Sequence, residues 1–582
     1  MPRHGRGLLV SRRRLLCAAF VLAAVGLSTR TAFLQLAAKD WLQAKGAERY
    51  ERSVELVARR GMIADRHGEP LAISTPVTSI GAVPTPLLRA RRQWPGLLRV
   101  LSMNERQLEA LLVPRLVPRR KREFVFLARQ VTPAVAEAVQ ALGIEGVTLR
   151  LEQRRYYPVS EVTAHVTGFT DLDERGQEGM ELAFDHSLRG HPGANRVIRD
   201  RVGRTVEQVE HVRSARPGEA LRLTIDKRLQ HVTYRELKMA VRACRARAGS
   251  AVMLDARNGE ILALVNQPSY NPNKRYKHQD ASYRNRVVTD VFEPGSTIKP
   301  FTLAAALESG LYDMESRVDT RPGTFTVGRH TVRDIHPYGV LDLRGVLAKS
   351  SNVGVAKIAL SLEPRSLWVL LRSLGFGSLP GTGFPGESPG YLNHFERWRP
   401  IDQATLAYGY GLSVSTLQLA RAYLTFANDG RLLPVRLHLG DTAPLATPVM
   451  AEKTAHTLTA MLERAVTEGT GGQARVPGYR VAGKTGTARK TKAGGGYARD
   501  RYLALFAGMI PASDPRLVMV VAIDEPRGTK YYGGEVAAPV FARVMREAVR
   551  LLDIPPDALE PGHAPLMQHL AAQVAGSRPV AP

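Results

Sequence analysis

The sequence predicts an α+β protein: a single N-terminal apolar helix, a mostly-β middle region, and a C-terminal domain in which an antiparallel sheet faces a helical block. Three observations predict it. Residues 1–14 carry Arg3, Arg6, Arg12, Arg13 and Arg14 without an acid, and an apolar run, Leu15 to Leu27, follows directly. From about 50 to 215, glycines and prolines separate short segments. From 218 onward, strand-like segments early and late in the domain bracket a stretch with helical periodicity, from about 340 to 470.

The chain has 582 residues, enough for several domains at ~150 residues each. Hydrophobic residues at 44% and charged residues at 23% are ordinary for globular protein. A formal net charge of +27 is not, and it calls for a polyanionic neighbour: an anionic membrane surface or nucleic acid. No zinc-finger spacing and no RNA-binding aromatic signature is present, which favours the membrane. Two cysteines, Cys17 and Cys244, exclude a disulfide framework and a cysteine-based metal site.

The run Leu15–Leu27 alone has the length of a signal-peptide core. Continued through Phe33, Leu34 and Leu36 it reaches the ~20 residues that cross a bilayer. Arg30 lies near one end, where a long cation snorkels to the headgroups, and Trp41 suits the far interface. No small-x-small cleavage site precedes a mature-looking start. The expectation is an uncleaved anchor over 15–36 with residues 1–14 in the cytoplasm; a cleaved signal peptide is the alternative.

Between 50 and 215, Arg60-Gly61-Met62-Ile63-Ala64-Asp65-Arg66-His67-Gly68-Glu69-Pro70-Leu71-Ala72 alternates about a His-Gly turn, as a hairpin does. Residues 88–122 are rich in Arg and Lys and read as the solvated face of a helical insert. The stretches around Tyr156-Tyr157-Pro158, Ala164–Phe169, Gly179–Glu181 and Leu188–Gly190 read as short strands and tight turns. No metal-ligand cluster, phosphate loop or carboxylate pair stands out, so this region reads as a scaffold or docking domain.

The C-terminal domain spans 218–553. Leu221–Asp226, Ser250–Asp255, Ile261–Val265, Leu503–Pro511 and Leu517–Ile523 read as strands, with Asn258-Gly259 a hairpin turn. Residues 228–245 and 539–552 read as helices. Residues 554–582, with Pro555, Pro556, Pro561 and Pro565, read as an irregular tail.

The chemistry centres on Glu293-Pro294-Gly295-Ser296-Thr297-Ile298-Lys299. Ser296 and Lys299 lie one helical turn apart, on one face. A serine hydroxyl needs a base, and a lysine serves once burial or a cationic neighbour holds it neutral. Free N–H groups at a helix start can stabilise an oxyanion. Alone, the pattern is far more often a solvated helix start. Two further segments follow: Ser350-Ser351-Asn352 between apolar helical stretches, and Lys484-Thr485-Gly486-Thr487 in a run of small residues. Ser-x-Asn also occurs at Ser102/Asn104 and Ser269/Asn271, so that motif alone carries nothing.

In conjunction and in this order, Ser-x-x-Lys, Ser-x-Asn and Lys-Thr-Gly resemble the set used by penicillin-binding proteins and serine β-lactamases. The resemblance extends over nearly the whole chain. The basic end and single span, Arg60-Gly61-Met62-Ile63-x-Asp65-Arg66-x-Gly68, Ala164-His165-Val166-x-Gly168-Phe169 and Glu178-Gly179-Met180-Glu181 look like class B penicillin-binding proteins. Glu293–Ser296, Lys484–Lys490 and Tyr531-Tyr532-Gly533-Gly534 look most like the division-specific, FtsI-type septal transpeptidase of Gram-negative bacteria.

The resemblance implies a pedestal or dimerisation-type domain over 50–215 and a transpeptidase domain over 218–553. It implies that Ser296 attacks the D-Ala–D-Ala bond of a stem peptide, that Lys299 takes its proton, and that Ser350 and Asn352 bridge the base and hold the substrate amide. Lys484, Thr485, Gly486 and Thr487 would receive the terminal carboxylate, and N–H groups at Ser296 and Thr487 the oxyanion. It implies neither metal nor organic cofactor. It implies acylation by β-lactams, a septal inner-membrane location with the bulk of the chain periplasmic, and division-complex partners including a SEDS-type glycosyltransferase; nucleic acid is not among the partners. The competing readings are the elongation-specific relative, a β-lactamase or D,D-carboxypeptidase, and a β-lactam-sensing receptor. A β-lactamase needs a second base for its water, and no glutamate in the sequence is assignable to that role.

Overall fold

A computed structural model of the chain describes residues 5–42, 45, 51–113, 124–199, 205–274, 280–440, 445–492 and 494–558. The chain divides into two compact units. One holds Met1–Arg59, Pro76–Gln153 and Gly190–Gly218; the other holds Arg60–Thr75, Arg154–Arg189 and Glu219–Pro582.

In the first unit, Gly5–Ala32 is a continuous helix that ends in a π-helical turn, Phe33–Ala37. Its apolar stretch, Arg13–Ala37, is long enough to cross a membrane, and none of it is buried in protein. The hydroxyls of Thr29 and Thr31 donate back to the carbonyls of Val25 and Leu27, both at 2.8 Å, so neither needs a partner outside the helix. Arg30 lies over the Phe33 ring near the end of the run.

The same unit holds a three-stranded antiparallel sheet, Glu51–Leu56, Gly193–Arg199 and Thr205–Arg213 in that order. A second core forms where Ile80 and Ala82 meet Leu87, Trp94, Leu97, Leu108, Val125, Leu127 and Val139. Within the basic stretch, Trp94–Leu101 and Glu105–Leu112 are helices, and Arg91 pairs with Glu105 and Glu109 on the solvent side. Its cations Arg115, Arg119, Arg120, Lys121 and Arg122 lie outside the described residues, as do residues 1–4 and the tail beyond 558.

The second unit is built on a five-stranded sheet in the order Ile261–Gln267, Ala248–Asp255, Leu517–Asp524, Tyr497–Ile510, Ala482–Thr491, antiparallel throughout. Side chains alternate between its faces. Ala251, Met253 and Val521 pack on one side with Leu229 and Leu237 of helix Lys227–Ala243 and Phe541 and Val544 of helix Ala538–Leu551. Val252, Leu254 and Val520 pack on the other with Phe301, Tyr423, Leu458 and Leu462 of the helical block. Both faces are covered, so these strands read as nearly unbroken apolar runs.

Three local expectations change. Ala164–Thr167 and Gly179–Ala183, in stretches expected as short strands and tight turns, are single helical turns. Glycine marks their ends without fixing what lies between. The strand expected over Leu221–Asp226 is confined to Leu221–Arg222, because Asp226 caps the next helix through the N–H groups of Arg228 and Leu229. The hairpin about His67-Gly68 forms, with Ile63 opposite Ala72, and Asp65 Oδ1 accepts from the N–H groups of His67 and Glu69 in its turn.

Candidate active site

The site lies where the helical block meets the sheet's edge strand, Ala482–Thr491. Pro294, with φ −72°, and Gly295, with φ +53°, turn the chain into a 3-10 turn, Gly295–Ile298, that runs on as helix Lys299–Glu308. The Lys299 N–H closes the turn on the Ser296 carbonyl. Thr297 Oγ1 donates to the Pro294 carbonyl at 2.7 Å, and the buried Tyr423 hydroxyl donates to the Thr297 carbonyl at 2.9 Å. The turn is therefore held from both sides. The Ser296 side chain is half-buried, and its hydroxyl makes no hydrogen bond among the described residues.

The edge strand reaches this turn because it carries a glycine. A Cβ at Gly486 would stand 2.9 Å from Thr297 Cγ2 and 3.1 Å from the Pro294 carbonyl oxygen. Gly533 backs the same point, since a Cβ there would lie 2.3 Å from the Gly486 carbonyl oxygen. The Gly533 N–H donates to Thr487 Oγ1 at 3.0 Å. Thr485 and Thr487 share one side of the strand by its two-residue period, and the Thr485 hydroxyl bonds to Thr470 Oγ1 at 2.6 Å.

Lys299 is fully buried and Lys484 almost so. Lys299 Nζ donates to the Ser350 carbonyl at 2.5 Å and Asn352 Oδ1 at 2.8 Å, and lies 3.1 Å from Ser350 Oγ. Lys484 Nζ lies 3.0 Å from the same Ser350 Oγ and 3.2 Å from the Thr485 carbonyl oxygen. Neither amine forms an ion pair among the described residues. Burial, and then the charge of Lys484, push the Lys299 amine well below the usual lysine range. Burial brings Lys484 down to about 7.

Ser350 presents both its oxygens to Lys299 because its backbone is left-handed, with φ +59°. That conformation costs a non-glycine residue of order 1 kcal/mol and persists where surrounding contacts enforce it. Here the turn joins helix Leu343–Ala348 to helix Asn352–Ser361, and Ser351 Oγ caps the second helix at the Gly354 N–H.

The structure thus gathers Lys299, Ser350, Asn352 and Lys484 into one hydrogen-bonded cluster, with Ser296 one turn from Lys299. The other Ser-x-Asn segments have structural duties away from this cluster. Asn104 caps helix Glu105–Leu112, and Ser269 Oγ donates to the Glu161 carbonyl.

Two neighbours escape sequence reasoning. Asp334 accepts from Ser351 Oγ at 2.6 Å and from the N–H groups of Asn352 and Val353 at 2.5 and 3.0 Å. Glu293 Oε1 accepts from the Gly411 N–H at 2.9 Å and the Tyr497 hydroxyl at 3.0 Å, and burial raises its carboxyl. Asp334 belongs to no motif. Glu293 stands in one, but its partners are far along the chain.

Residues 249–546 match the penicillin binding protein transpeptidase domain, and residues 55–223 match the penicillin-binding protein dimerisation domain. The chain is 43% identical over 542 residues to a probable peptidoglycan D,D-transpeptidase, PbpC, of Pseudomonas aeruginosa, covering 93% of this chain and 95% of that one. It is 42% identical over 557 residues to the peptidoglycan D,D-transpeptidase FtsI of Escherichia coli K12, covering 95% and 93%. Among solved structures, penicillin binding protein 3 of Mycobacterium tuberculosis complexed with aztreonam is similar with a TM-score of 0.68 at 28% identity, covering 86% of this chain and 98% of that one. The chain belongs to the class B penicillin-binding proteins.

Proposed function

We propose that Ser296 is the nucleophile with which this penicillin-binding transpeptidase cross-links peptidoglycan stem peptides. The observation that carries the reading is one hydroxyl, Ser350 Oγ, between two buried amines, at 3.1 Å from Lys299 Nζ and 3.0 Å from Lys484 Nζ.

The proton count follows from these contacts. A neutral Lys299 has two N–H groups and one lone pair. The Ser350 carbonyl and Asn352 Oδ1 are pure acceptors and take the two N–H groups. The lone pair is left for a hydroxyl proton. Ser350 Oγ has one proton to donate and accepts from a charged Lys484. In the attack, Lys299 removes the Ser296 proton as Oγ bonds to the carbonyl carbon of the D-Ala–D-Ala bond. The tetrahedral oxyanion faces the N–H groups of Ser296 and Thr487. Collapse breaks the C–N bond, and the departing D-alanine amine takes a proton relayed from Lys299 through Ser350. Lys484, Thr485 and Thr487 hold the terminal carboxylate, and Gly486 lets the strand approach. The acyl-enzyme then passes to the amine of a second stem peptide, whose lost proton returns through the same base. β-Lactams acylate Ser296 by the same first step.

On this reading the helix Gly5–Ala32 anchors the protein once in the inner membrane, with the catalytic unit periplasmic. The site of action is the division septum, beside division proteins that include a SEDS-type glycosyltransferase. The Tyr531-Tyr532-Gly533-Gly534 segment favours division over elongation.

The test of the chemistry is covalent labelling with fluorescent penicillin, mapped by peptide mass. The label is expected on Ser296, to be lost in Ser296→Ala, and to persist for minutes. Label retained by Ser296→Ala sinks the nucleophile, and release within seconds favours a β-lactamase. Depletion in cells is expected to give filaments; round cells would move the assignment to elongation.

A further inference from the structure

We infer that Asp334 is a positioning residue of the acyl-transfer site: its carboxylate holds the Ser350–Asn352 segment in place and sets a negative charge behind it, facing Lys299. The inference rests on the reading of Ser296 and Lys299 given above.

The carboxylate is fixed from outside the segment it holds. Asp334 follows strand His330–Arg333, which pairs with Thr324–Val327 in a hairpin, and its N–H donates to the Gly323 carbonyl at 2.9 Å. From that base, Oδ1 takes the N–H groups of Asn352 and Val353, while Oδ2 takes the Ser351 hydroxyl proton. Ser351 Oγ in turn accepts the Gly354 N–H at 2.8 Å. Three N–H groups in the first turn of helix Asn352–Ser361, otherwise without intrahelical partners, are thereby satisfied, two of them by a charge of the sign favoured at a helix N-terminus.

The adjoining residue completes the hold. The Arg333 carbonyl accepts from Asn352 Nδ2 at 3.0 Å, so the amide can only turn Oδ1 toward Lys299 Nζ, 2.8 Å away. Ser350, in its left-handed conformation, precedes two residues whose hydroxyl and N–H are pinned by one carboxylate. Remove that carboxylate, and the N–H groups of Asn352 and Val353 lose their acceptor at the end where Ser350 must keep both oxygens on Lys299.

The charge has a second effect. Lys299 faces Lys484 from the edge strand and Asp334 from the hairpin side. Burial and Lys484 lower its pKa, and Asp334 opposes them. The Tyr338 hydroxyl, raised by burial and by Asp334, is a further titratable group facing the carboxylate.

The experiment is the pH dependence of penicillin acylation in the full-length, detergent-solubilised protein, for wild type, Asp334→Asn and Asp334→Ala, with thermal midpoints measured alongside. Asp334→Asn keeps an acceptor for the helix N–H groups and removes the charge. Lys299 then loses its proton more readily, and the acid limb of the profile is expected to move to lower pH, by roughly half a unit or more. Asp334→Ala is expected to lose roughly tenfold or more in acylation rate. An Asp334→Asn profile whose acid limb coincides with wild type overturns the inference even if the rate falls. A wild-type rate in folded Asp334→Ala overturns it too. If Asp334→Ala does not fold, the Asp334→Asn profile decides alone. Failure of the underlying reading registers separately, as a wild-type protein that takes no label or a Ser296→Ala protein that keeps it.

Discussion

Lys299 and Lys484 come from different layers of the fold, a central helix and the sheet's edge strand, yet their amines reach the same hydroxyl oxygen, Ser350 Oγ, at 3.1 and 3.0 Å. Two buried amines without a carboxylate pair are stable together only if at most one is charged. The structure favours Lys299 as the neutral member, because burial and the Lys484 charge both act on it. Lys484 stays the cation until its own pKa of about 7.

A pH profile follows. On the proposed mechanism, acylation by a carboxylate-bearing penicillin requires Lys299 neutral and Lys484 charged. The second-order rate, which reports the free enzyme, should therefore decline as pH rises past about 7, where Lys484 loses its proton. Lys484→Arg should lower the rate but remove that alkaline limb, since a guanidinium stays charged throughout. Stopped-flow acylation across pH reads both. A wild-type rate that stays flat through the mildly alkaline range would contradict the assignment of Lys484 as the carboxylate's cation.

Sharing one hydroxyl also predicts non-additivity. Ser350→Ala is expected to slow acylation by about 10²-fold or more, the scale of a lost proton-transfer partner. Lys484→Ala should be slow as well. If the two act through one contact, the double variant is only slightly slower than the worse single, and the coupling measured by the cycle is large. Losses that simply multiply would mean that Ser350 serves Lys299 alone.

The place where the edge strand and the turn Gly295–Ile298 meet has its own test. In Gly486→Ala the new methyl must displace Thr297 Cγ2, 2.9 Å away, or the Pro294 carbonyl, 3.1 Å away. Both belong to the turn that carries Ser296. A shift approaching 1 Å between the strand and that turn is enough for a loss of about 10²-fold in acylation. The thermal midpoint should fall little, because the strand keeps its pairing with Tyr497–Ile510. Full acylation by Gly486→Ala would mean that the close approach is not what orders the site.

The sequence is most informative about this chain where chemistry is local. The apolar runs at 250–255 and 261–265 about Asn258-Gly259 become paired strands, and Ser296 and Lys299 lie on consecutive turns as their spacing requires. It is least informative where a side chain is held from far away. Glu181, in a stretch expected as short strands and tight turns, is a fully buried carboxylate held by Arg60 and Arg155 at 2.7 and 2.6 Å. No local pattern encodes that charge cluster. Asp334 is hidden for the same reason. Its sequence neighbours describe a hairpin, while its carboxylate caps a helix that starts at Asn352. The decoy Ser-x-Asn segments show the converse, since Asn104 matches the pattern and does no more than cap a helix.

His165 offers a test of the fold that is independent of catalysis. Its ring is buried edge-on against Tyr270, with Nε2 2.9 Å from the Ser282 carbonyl oxygen, so the neutral ring donates there. Burial lowers its pKa to about 4, with the Arg286 charge adding to the effect. The unfolded chain takes up this proton near pH 6.5, the folded protein only near 4. Stability from this residue is therefore complete above about pH 6.5 and falls as the pH drops toward 4, by about 3 kcal/mol across the window. His165→Gln can still donate to the Ser282 carbonyl but has no proton to gain. Its thermal midpoint should lie below wild type at neutral pH, from lost packing against Tyr270, and should fall less between pH 6.5 and 4.5 than that of wild type. Parallel curves for the two proteins would mean that the imidazole takes up its proton without cost in the folded state, and that its burial does not govern acid unfolding of this unit.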